Sequence, residues 1–244
     1  DRTVREEEYY WIWQGRTGLS LYHPASEQIS FASDFPNDTG KYHIIKCIEK
    51  CRTQPGIWAA SGNACVVHLQ HESMKMKCIQ EIRIPDARQV RVLHEDDQGN
   101  LWIGTENAIY QYSISDGNMR RIHKDTGAIN GIAISPDKAI YYITETPEFS
   151  CLPPDGQVHS IHKGENYSSI IISPDNKIWT ATLEGNVYSY HPQLQTLARE
   201  DNACNANGDA VKSMTVDNLG HLWILADQYV NCLLYTSPSP RDTE

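Results

Sequence analysis

The sequence predicts an all-β protein, a β-propeller of four-stranded antiparallel blades. An aromatic residue recurs within a short apolar stretch at intervals of 38 to 47 residues, which is the length of one propeller blade. Strand-length segments with alternating apolar and polar residues flank each stretch, and turn residues separate them. Five of the six tryptophans fall on the recurring position. That position is occupied in order by Trp11, Trp58, Trp102, Tyr141, Trp179 and Trp223.

Residues 90–125 form the clearest repeat. A strand from Val90 is followed by the turn Asp-Gln-Gly-Asn at 97–100, in which glycine is free to adopt a positive φ. The apolar triplet around Trp102 makes a second strand, and two more alternating segments end near residue 123. Four short strands in about 36 residues make one blade.

The other units follow the same plan. We expect about five complete blades plus partial ones, as a fragment of a propeller with seven or more blades. The first unit is expected to lack its innermost strand, and in the fourth unit Pro147 is expected to interrupt the blade and delay the third strand to about residues 157–161. The six units lie near residues 1–31, 44–84, 90–125, 129–163, 168–200 and 211–231.

Both ends of the chain suggest a fragment. The chain begins at Asp1 without methionine or a signal peptide. Residues 232–244 break the repeat and resemble a translated adapter from a sequencing library, so we expect a non-native, disordered tail. The native protein is expected to continue beyond Asn231.

Composition narrows the function classes. The formal net charge of −10 argues against a nucleic-acid partner, which a basic stripe would mark. No run of 18 apolar residues is present, so membrane contact is expected only through segments absent from this sequence.

The third unit resembles the two-component regulator propeller repeat. That repeat pairs the core D-x-x-G-x-L-W-I-G-T, which matches residues 97–105 closely, with a G-L-x-x-Y strand that residues 18–22 match. The resemblance spans roughly residues 1–231 and weakens where Trp13 and Tyr141 depart from the pattern.

The resemblance implies an extracytoplasmic, periplasmic sensor domain of a hybrid histidine kinase. It further implies recognition of oligosaccharides or another small ligand, and a possible homodimer of the full-length protein. Any kinase activity would belong to residues that are not in this sequence, and this segment is expected not to be an enzyme.

Candidate ligand-binding residues come from the loops between second and third strands, which lie on one face of a propeller. Loops on a rigid scaffold are frequent binding sites. Polar groups there could hydrogen-bond a sugar, and an exposed aromatic ring could stack on it. The candidates are Trp13, Arg16, Asn63, Glu106, Asn107, Glu145, Glu184 and Asn186.

No catalytic residue, metal site or cofactor is expected, because neither H-E-x-x-H nor G-x-S-x-G occurs. Three alternatives stay open. One is a lyase resembling the streptogramin-inactivating type, and another is a lactonase, since residues 130–137 resemble a gluconolactonase stretch. The third is a scaffold without catalysis.

Overall fold

Six antiparallel sheets follow one another along the chain in the computed structural model. The structure describes residues 2–14, 18–31, 45–61, 63–124, 126–203, 209–217, 219–227 and 230–233. Within these ranges each sheet consists of strands that are consecutive in sequence, four in sheets 1 to 5 and three in sheet 6. The predicted all-β class, with five complete four-stranded blades and a partial one, is confirmed.

Sheets 1 to 3 belong to the first of two compact units, Asp1–Ile129. A short 3-10 turn, Pro24–Ser26, joins the third and fourth strands of sheet 1. The strands of sheet 1 are β1 (Arg2–Glu6), β2 (Tyr9–Gln14), β3 (Gly18–His23) and β4 (Gln28–Phe31). Those of sheet 2 are β5 (Ile45–Lys50), β6 (Ile57–Ser61), β7 (Cys65–Glu72) and β8 (Lys75–Arg83). Those of sheet 3 are β9 (Val90–Glu95), β10 (Asn100–Thr105), β11 (Ala108–Ser113) and β12 (Met119–Lys124).

Sheets 4 to 6 form the second unit, Asn130–Glu244, with the boundary after the first residue of sheet 4. The strands of sheet 4 are β13 (Ile129–Ile134), β14 (Ile140–Thr144), β15 (Glu148–Leu152) and β16 (His159–Lys163). Those of sheet 5 are β17 (Tyr167–Ile172), β18 (Ile178–Thr182), β19 (Val187–His191) and β20 (Thr196–Arg199). Those of sheet 6 are β21 (Val211–Val216), β22 (Leu222–Ala226) and β23 (Val230–Leu233).

Within each of the two units, the cores lie between successive sheets. Second strands are buried on both faces in most sheets, as their continuous apolar runs require, whereas fourth strands are largely exposed. In the first unit Trp11 of sheet 1 packs with Ile48 and Ala59 of sheet 2. In the second unit Trp179 of sheet 5 packs with Val211 and Met214 of sheet 6.

The recurring tryptophans also have a polar role. Each indole N–H donates a hydrogen bond to an oxygen near the end of a first strand, which satisfies the one donor of the ring; the rings are buried except for that of Trp223, which is 39% exposed. The pairs are Trp11 with Glu6 at 2.7 Å, Trp58 with Glu95 at 2.7 Å, Trp102 with Asp96 at 2.8 Å, Trp179 with Ser173 at 3.3 Å, and Trp223 with Asp217 at 3.0 Å.

The expectation that the first unit lacks its innermost strand is wrong. β1 pairs with β2 along its whole length, from Arg2 opposite Trp13 to Glu6 opposite Tyr9. Glu7 adopts a φ of 52° in the tight turn between them. Only Val4 of this strand is an apolar buried residue, so its apolar pattern is too weak to mark a strand.

The expected delay of the third strand in the fourth unit is also wrong. The third strand is β15, in which Phe149 and Cys151 are buried, and the stretch around residues 157–161 leads into the fourth strand, β16. Pro147 lies in the turn before β15, and its carbonyl accepts a hydrogen bond from Gly164 N at 2.9 Å. The proline therefore starts the strand instead of interrupting it.

The first two residues of the expected tail, 232–244, are strand residues in the structure. Cys232 pairs with Trp223 and the backbone of Leu233 pairs with Leu222, so both residues belong to β23. The remainder of the expected tail, residues 234–244, lies outside the described residues.

Candidate ligand-binding loops

The loops that follow the second strands carry most of the predicted site residues. We call these segments the second–third loops: residues 63–64 in sheet 2, 106–107 in sheet 3, 145–147 in sheet 4 and 183–186 in sheet 5. Asn63, Asn107 and Glu145 are exposed there. Arg16 belongs to the corresponding loop of sheet 1 and lies outside the described residues.

Glu106 holds the backbone that enters sheet 3. Its two carboxylate oxygens accept hydrogen bonds from Arg88 N at 2.7 Å and Gln89 N at 3.1 Å. Partial burial raises the pKa of Glu106, but the backbone N–H groups favour the charged form and the net shift is downward. Both oxygens of the Glu106 carboxylate therefore already accept hydrogen bonds from the backbone before β9.

Asn107 follows Glu106 in the loop and exposes its side chain to solvent. The backbone carbonyl oxygen of Asn107 accepts a hydrogen bond from Thr126 N at 3.2 Å. Thr105 closes the loop, because its hydroxyl donates to Ala108 O at 3.0 Å and also accepts a hydrogen bond from Ala108 N at 3.0 Å. The backbone is therefore fixed while the Asn107 amide stays exposed, as a binding group on a rigid loop would be.

Two predicted residues of sheet 5 lie in a hydrogen-bonded network. Glu184 accepts a hydrogen bond from the Asn166 amide at 2.7 Å, and the Asn186 amide donates to Glu165 at 3.3 Å. Tyr188 donates its hydroxyl to the second oxygen of Glu165 at 2.8 Å. Carboxylate, amide and phenol groups are thus concentrated between the end of sheet 4 and the second–third loop of sheet 5.

Trp13 packs between sheets 1 and 2. Its ring is half-buried on the core that contains Trp11, and its indole N–H donates to Ile45 O at 2.9 Å. Its contacts are therefore those of a residue that joins two sheets. The structure does not bring Trp13 together with the other predicted residues in one described network.

Sequence reasoning missed a polar seam at the opposite ends of sheets 1 to 3. Glu95 is fully buried and accepts hydrogen bonds from the indole of Trp58 at 2.7 Å, Thr53 N at 2.9 Å and the Thr53 hydroxyl at 2.7 Å. Glu6 accepts one from Gly56 N at 2.5 Å. The β5–β6 turn of sheet 2 is thus held by a carboxylate from each neighbouring sheet.

One sequence signal could have revealed this seam. Sheets 1, 3 and 6 each supply an acidic acceptor to their own tryptophan, whereas sheet 2 has Cys51 near the end of its first strand. An additional acid, Glu95, stands directly before Asp96 in sheet 3. An extra acid before Asp96 in sheet 3, together with Cys51 at the equivalent position of Asp96 in sheet 2, indicates that the tryptophan of sheet 2 donates to the neighbouring sheet.

First strands of the three sheets also meet at the buried carboxylate of Glu49. Arg2 Nη2 lies 2.5 Å from Glu49 Oε2, and His94 Nδ1 lies 3.7 Å from Glu49 Oε1. Burial raises the pKa of Glu49, although the Arg2 charge opposes the shift. Burial, assisted by the charge of Arg52, lowers the pKa of His94 to about 4, so this imidazole is neutral at pH 7.

The thiols of Cys47 and Cys51 are protonated at neutral pH. Burial raises the pKa of Cys47 to about 12, and it raises that of Cys51 as well. A thiol that stays protonated at pH 7 is a poor nucleophile and a poor metal ligand. Among the described residues, no group of three or more His, Cys, Asp or Glu side chains is arranged to hold a metal ion.

A family model described as two component regulator propeller matches residues 84–107. The matched segment contains β9, the turn with Asp96 and the tryptophan strand β10. The resemblance is confirmed. No curated protein sequence matches the chain.

Solved structures share the fold over nearly the whole chain. The extracellular domain of the hybrid two component system BT4673 from B. thetaiotaomicron aligns with a TM-score of 0.72 and 16% identity, covering 98% of this chain and 32% of that one. The extracellular domain of BT3049 from the same organism gives 0.70 and 17%, covering 94% and 32%. A chain of the Mitotic Checkpoint Complex gives 0.73 and 12%, covering 93% and 71%.

These likenesses establish the β-propeller fold of the chain. The chain spans about a third of the length of the two B. thetaiotaomicron domains. In the described part of the chain, no helix is both long and apolar enough to cross a membrane.

Proposed function

We propose that this chain is part of the ligand-sensing propeller of a two-component signal transduction sensor. The observation that carries the proposal is the repeat at residues 84–107, which matches the two component regulator propeller model. The fold shared with extracellular domains of two component systems supports it. The domain senses from an extracytoplasmic, periplasmic position and catalyses no reaction itself, and any histidine kinase activity belongs to further segments of the sensor.

The ligand is an oligosaccharide or a similarly hydroxyl-rich small molecule. Sugar hydroxyls both donate and accept hydrogen bonds, so they suit a surface with amides and carboxylates side by side. The second–third loops provide such groups: the Asn107 amide is exposed next to the charged Glu106, Glu184 accepts a hydrogen bond from Asn166, and Asn186 donates one to Glu165. Their backbones are fixed by turn hydrogen bonds, which keeps the entropy cost of binding low.

The proposal also accounts for the structural roles of the predicted residues. Glu106 and Glu184 each use their carboxylate to hold the segment that enters the same sheet. A ligand contact by either residue would therefore be made by a pre-positioned group. Exposed neighbours such as Asn63 and Asn107 supply the adaptable contacts.

The test is a thermal-shift screen of the 244-residue chain against neutral and acidic oligosaccharides, followed by calorimetric titration of any hit. Asn107→Ala removes an exposed amide together with one long hydrogen bond, 3.3 Å from the buried Thr105 hydroxyl, and we expect about tenfold weaker binding for one lost ligand hydrogen bond. Asp116→Ala is the matched control, because Asp116 is equally exposed but lies on the β11–β12 turn at the opposite end of sheet 3. Equal loss from both variants, or no hit with any saccharide, would refute the assignment.

A further inference from the structure

Within the described ranges, the first strands of sheets 2, 3, 5 and 6 contain one extra residue near their start. At that point the register against the second strand shifts by one residue, as it does at a β-bulge. A bulge re-aims a side chain, and bulges are common next to functional sites. The extra residues are Lys46 in sheet 2, Arg91 in sheet 3, Ser168 in sheet 5 and Lys212 in sheet 6.

Lys46 lies on the first-strand edge of sheet 2. Its neighbours Ile45 and Cys47 pair with consecutive residues of β6, and consecutive residues of a strand face opposite sides of the sheet. Ile45 accordingly packs in the core with sheet 1, whereas Cys47 packs against the core with sheet 3. Lys46 lies between them and is exposed. Because β5 is an edge strand, the bulge presents this side chain at the edge of the sheet.

Arg91 occupies the equivalent place on the edge of sheet 3. Val90 and Val92 again pair with consecutive residues, now of β10, so they face opposite sides of the sheet. Val90 packs in the core with sheet 2, and Arg91 is half-buried between the two valines. The edge strands β5 and β9 lie against each other. Lys46 and Arg91 therefore hold matching positions on adjacent strands.

Both bulges lie at the same end of their sheets as the second–third loops. In sheet 2 the bulge follows Ile45, which pairs with Ser61, the last residue of β6. In sheet 3 it follows Val90, which pairs with Thr105, the last residue of β10. Glu106, in the loop of sheet 3, holds the backbone just before β9 through both of its carboxylate oxygens. The bulged side chains therefore adjoin the loops to which ligand binding is assigned above.

The first strands of sheets 1 to 3 are basic, although the chain is acidic overall. They carry five Arg or Lys residues and three Glu residues, whereas the whole chain has 21 basic and 31 acidic residues. All three of these carboxylates are engaged: Glu6 and Glu95 accept hydrogen bonds from indole N–H groups, and Glu49 pairs with Arg2. Positive charge therefore remains at this edge, and it attracts anions.

We propose that Lys46 and Arg91 bind an anionic group of the saccharide, a carboxylate or a sulfate. This inference rests on the proposed function and narrows its ligand to an acidic saccharide. Arg91 offers a planar set of N–H donors that matches such a group, and Lys46 adds a point charge from the adjacent strand. A neutral saccharide lacks the group that these two side chains recognise, so it binds more weakly.

Saccharides that differ in charge test this site. Calorimetric titration of the 244-residue chain compares trigalacturonate with its methyl ester, and a sulfated galactotriose distinguishes a sulfate from a carboxylate. Lys46→Gln and Arg91→Gln each remove one charge, whereas Arg91→Lys keeps it. Lys50→Gln is the matched control, because Lys50 is also exposed on β5 but pairs with Ile57 at the opposite end of the strand. Circular dichroism verifies that each variant is folded, and the exposed Lys46 position decides the test if Arg91→Gln does not fold.

We expect at least one of the two acidic saccharides to bind about tenfold more tightly than the ester, by a margin that shrinks as salt is added. Lys46→Gln and Arg91→Gln should each weaken binding of that saccharide about tenfold and leave ester binding unchanged. Arg91→Lys should retain most of the affinity, and Lys50→Gln should retain all of it.

Two results would overturn the inference and leave the sensor proposal intact. One is equal affinity for the acidic saccharides and the ester, and the other is acid binding that neither glutamine variant weakens. Absence of binding to all three saccharides would overturn the inference and would count against the proposed function as well.

Discussion

Replacing Glu95 tests the buried polar seam most sharply. Glu95 is fully buried and is the common acceptor for the indole N–H of Trp58 and for the N–H and hydroxyl of Thr53. Glu95→Ala leaves these donors without their acceptor, and each buried unsatisfied donor costs about 1–3 kcal/mol. Thr53 is exposed and can turn to water, so the Trp58 indole N–H is the buried donor left unsatisfied, and we expect a loss of about 1–3 kcal/mol in the free energy of unfolding.

The measurement is urea unfolding followed by tryptophan fluorescence. Glu95→Gln should be intermediate, because its amide keeps one acceptor oxygen but places an NH₂ group against the remaining donors. Asp97→Ala is the control: its carboxylate pairs with Arg52 at 2.6 Å, but 88% of the Asp97 side chain is exposed, so little change is expected. A loss below about 1 kcal/mol for Glu95→Ala, or an equal loss for Asp97→Ala, would refute the role of Glu95 as a cross-sheet brace.

Three further predictions concern single side chains. Trp102→Ala should lower the free energy of unfolding by about 3–5 kcal/mol, because it removes a ring that is 6% exposed and its bond to Asp96; denaturant titration measures this, and a loss under about 1 kcal/mol would exclude a core role. Partial burial raises the pKa of Asp96, but hydrogen bonds to its carboxylate outweigh this effect and the pKa is lowered. The contribution of Asp96 to the free energy of unfolding is therefore present above its unfolded-state pKa and is lost as pH falls through its folded-state pKa. Asp96→Asn should make the free energy of unfolding depend less on pH in the acid range, and an unchanged dependence would contradict this. Gly56→Ala should destabilise far more than Gly156→Ala, by at least about 2 kcal/mol, since both have positive φ but only at Gly56 would a Cβ lie 2.0 Å from Leu69 O; equal melting temperatures would contradict this crowding.

The repeat could be read from the sequence because its strongest signal is local. A tryptophan in a short apolar run identifies the second strand in five of the six sheets, and the Trp102 repeat, where an acidic turn precedes the strand, is the clearest case. The first strand of sheet 1 lacks such a signal, because Val4 is its one buried apolar residue. Its strand conformation depends on pairing with β2, which no local pattern reveals.

The structural roles of the candidate site residues could not be predicted in the same way. Glu106 bonds to N–H groups 17 and 18 residues earlier in the chain, and Glu184 bonds to Asn166. Such contacts depend on how the end of one sheet leads into the next. Their loop positions were predictable from the repeat, but whether a carboxylate faces solvent or a neighbouring backbone was not.

The burial of Glu95 in the polar seam could not be predicted from the sequence either. Glu95 looks like an ordinary polar residue at the end of a strand, yet it is fully buried. Its burial follows from donors on Thr53 and Trp58, about 40 residues earlier in the sequence. A carboxylate in such a place is stable only because its hydrogen bonds replace the lost water.

Calorimetric titration of the 244-residue chain with an oligosaccharide from the thermal-shift screen is the most direct test of the sensor assignment. The account predicts saturable binding that Asn107→Ala weakens about tenfold and that Asp116→Ala, at the far end of the same sheet, leaves unchanged. Absence of binding to every neutral and acidic saccharide, or binding that neither second–third loop variant Asn63→Ala nor Asn107→Ala alters, would contradict it.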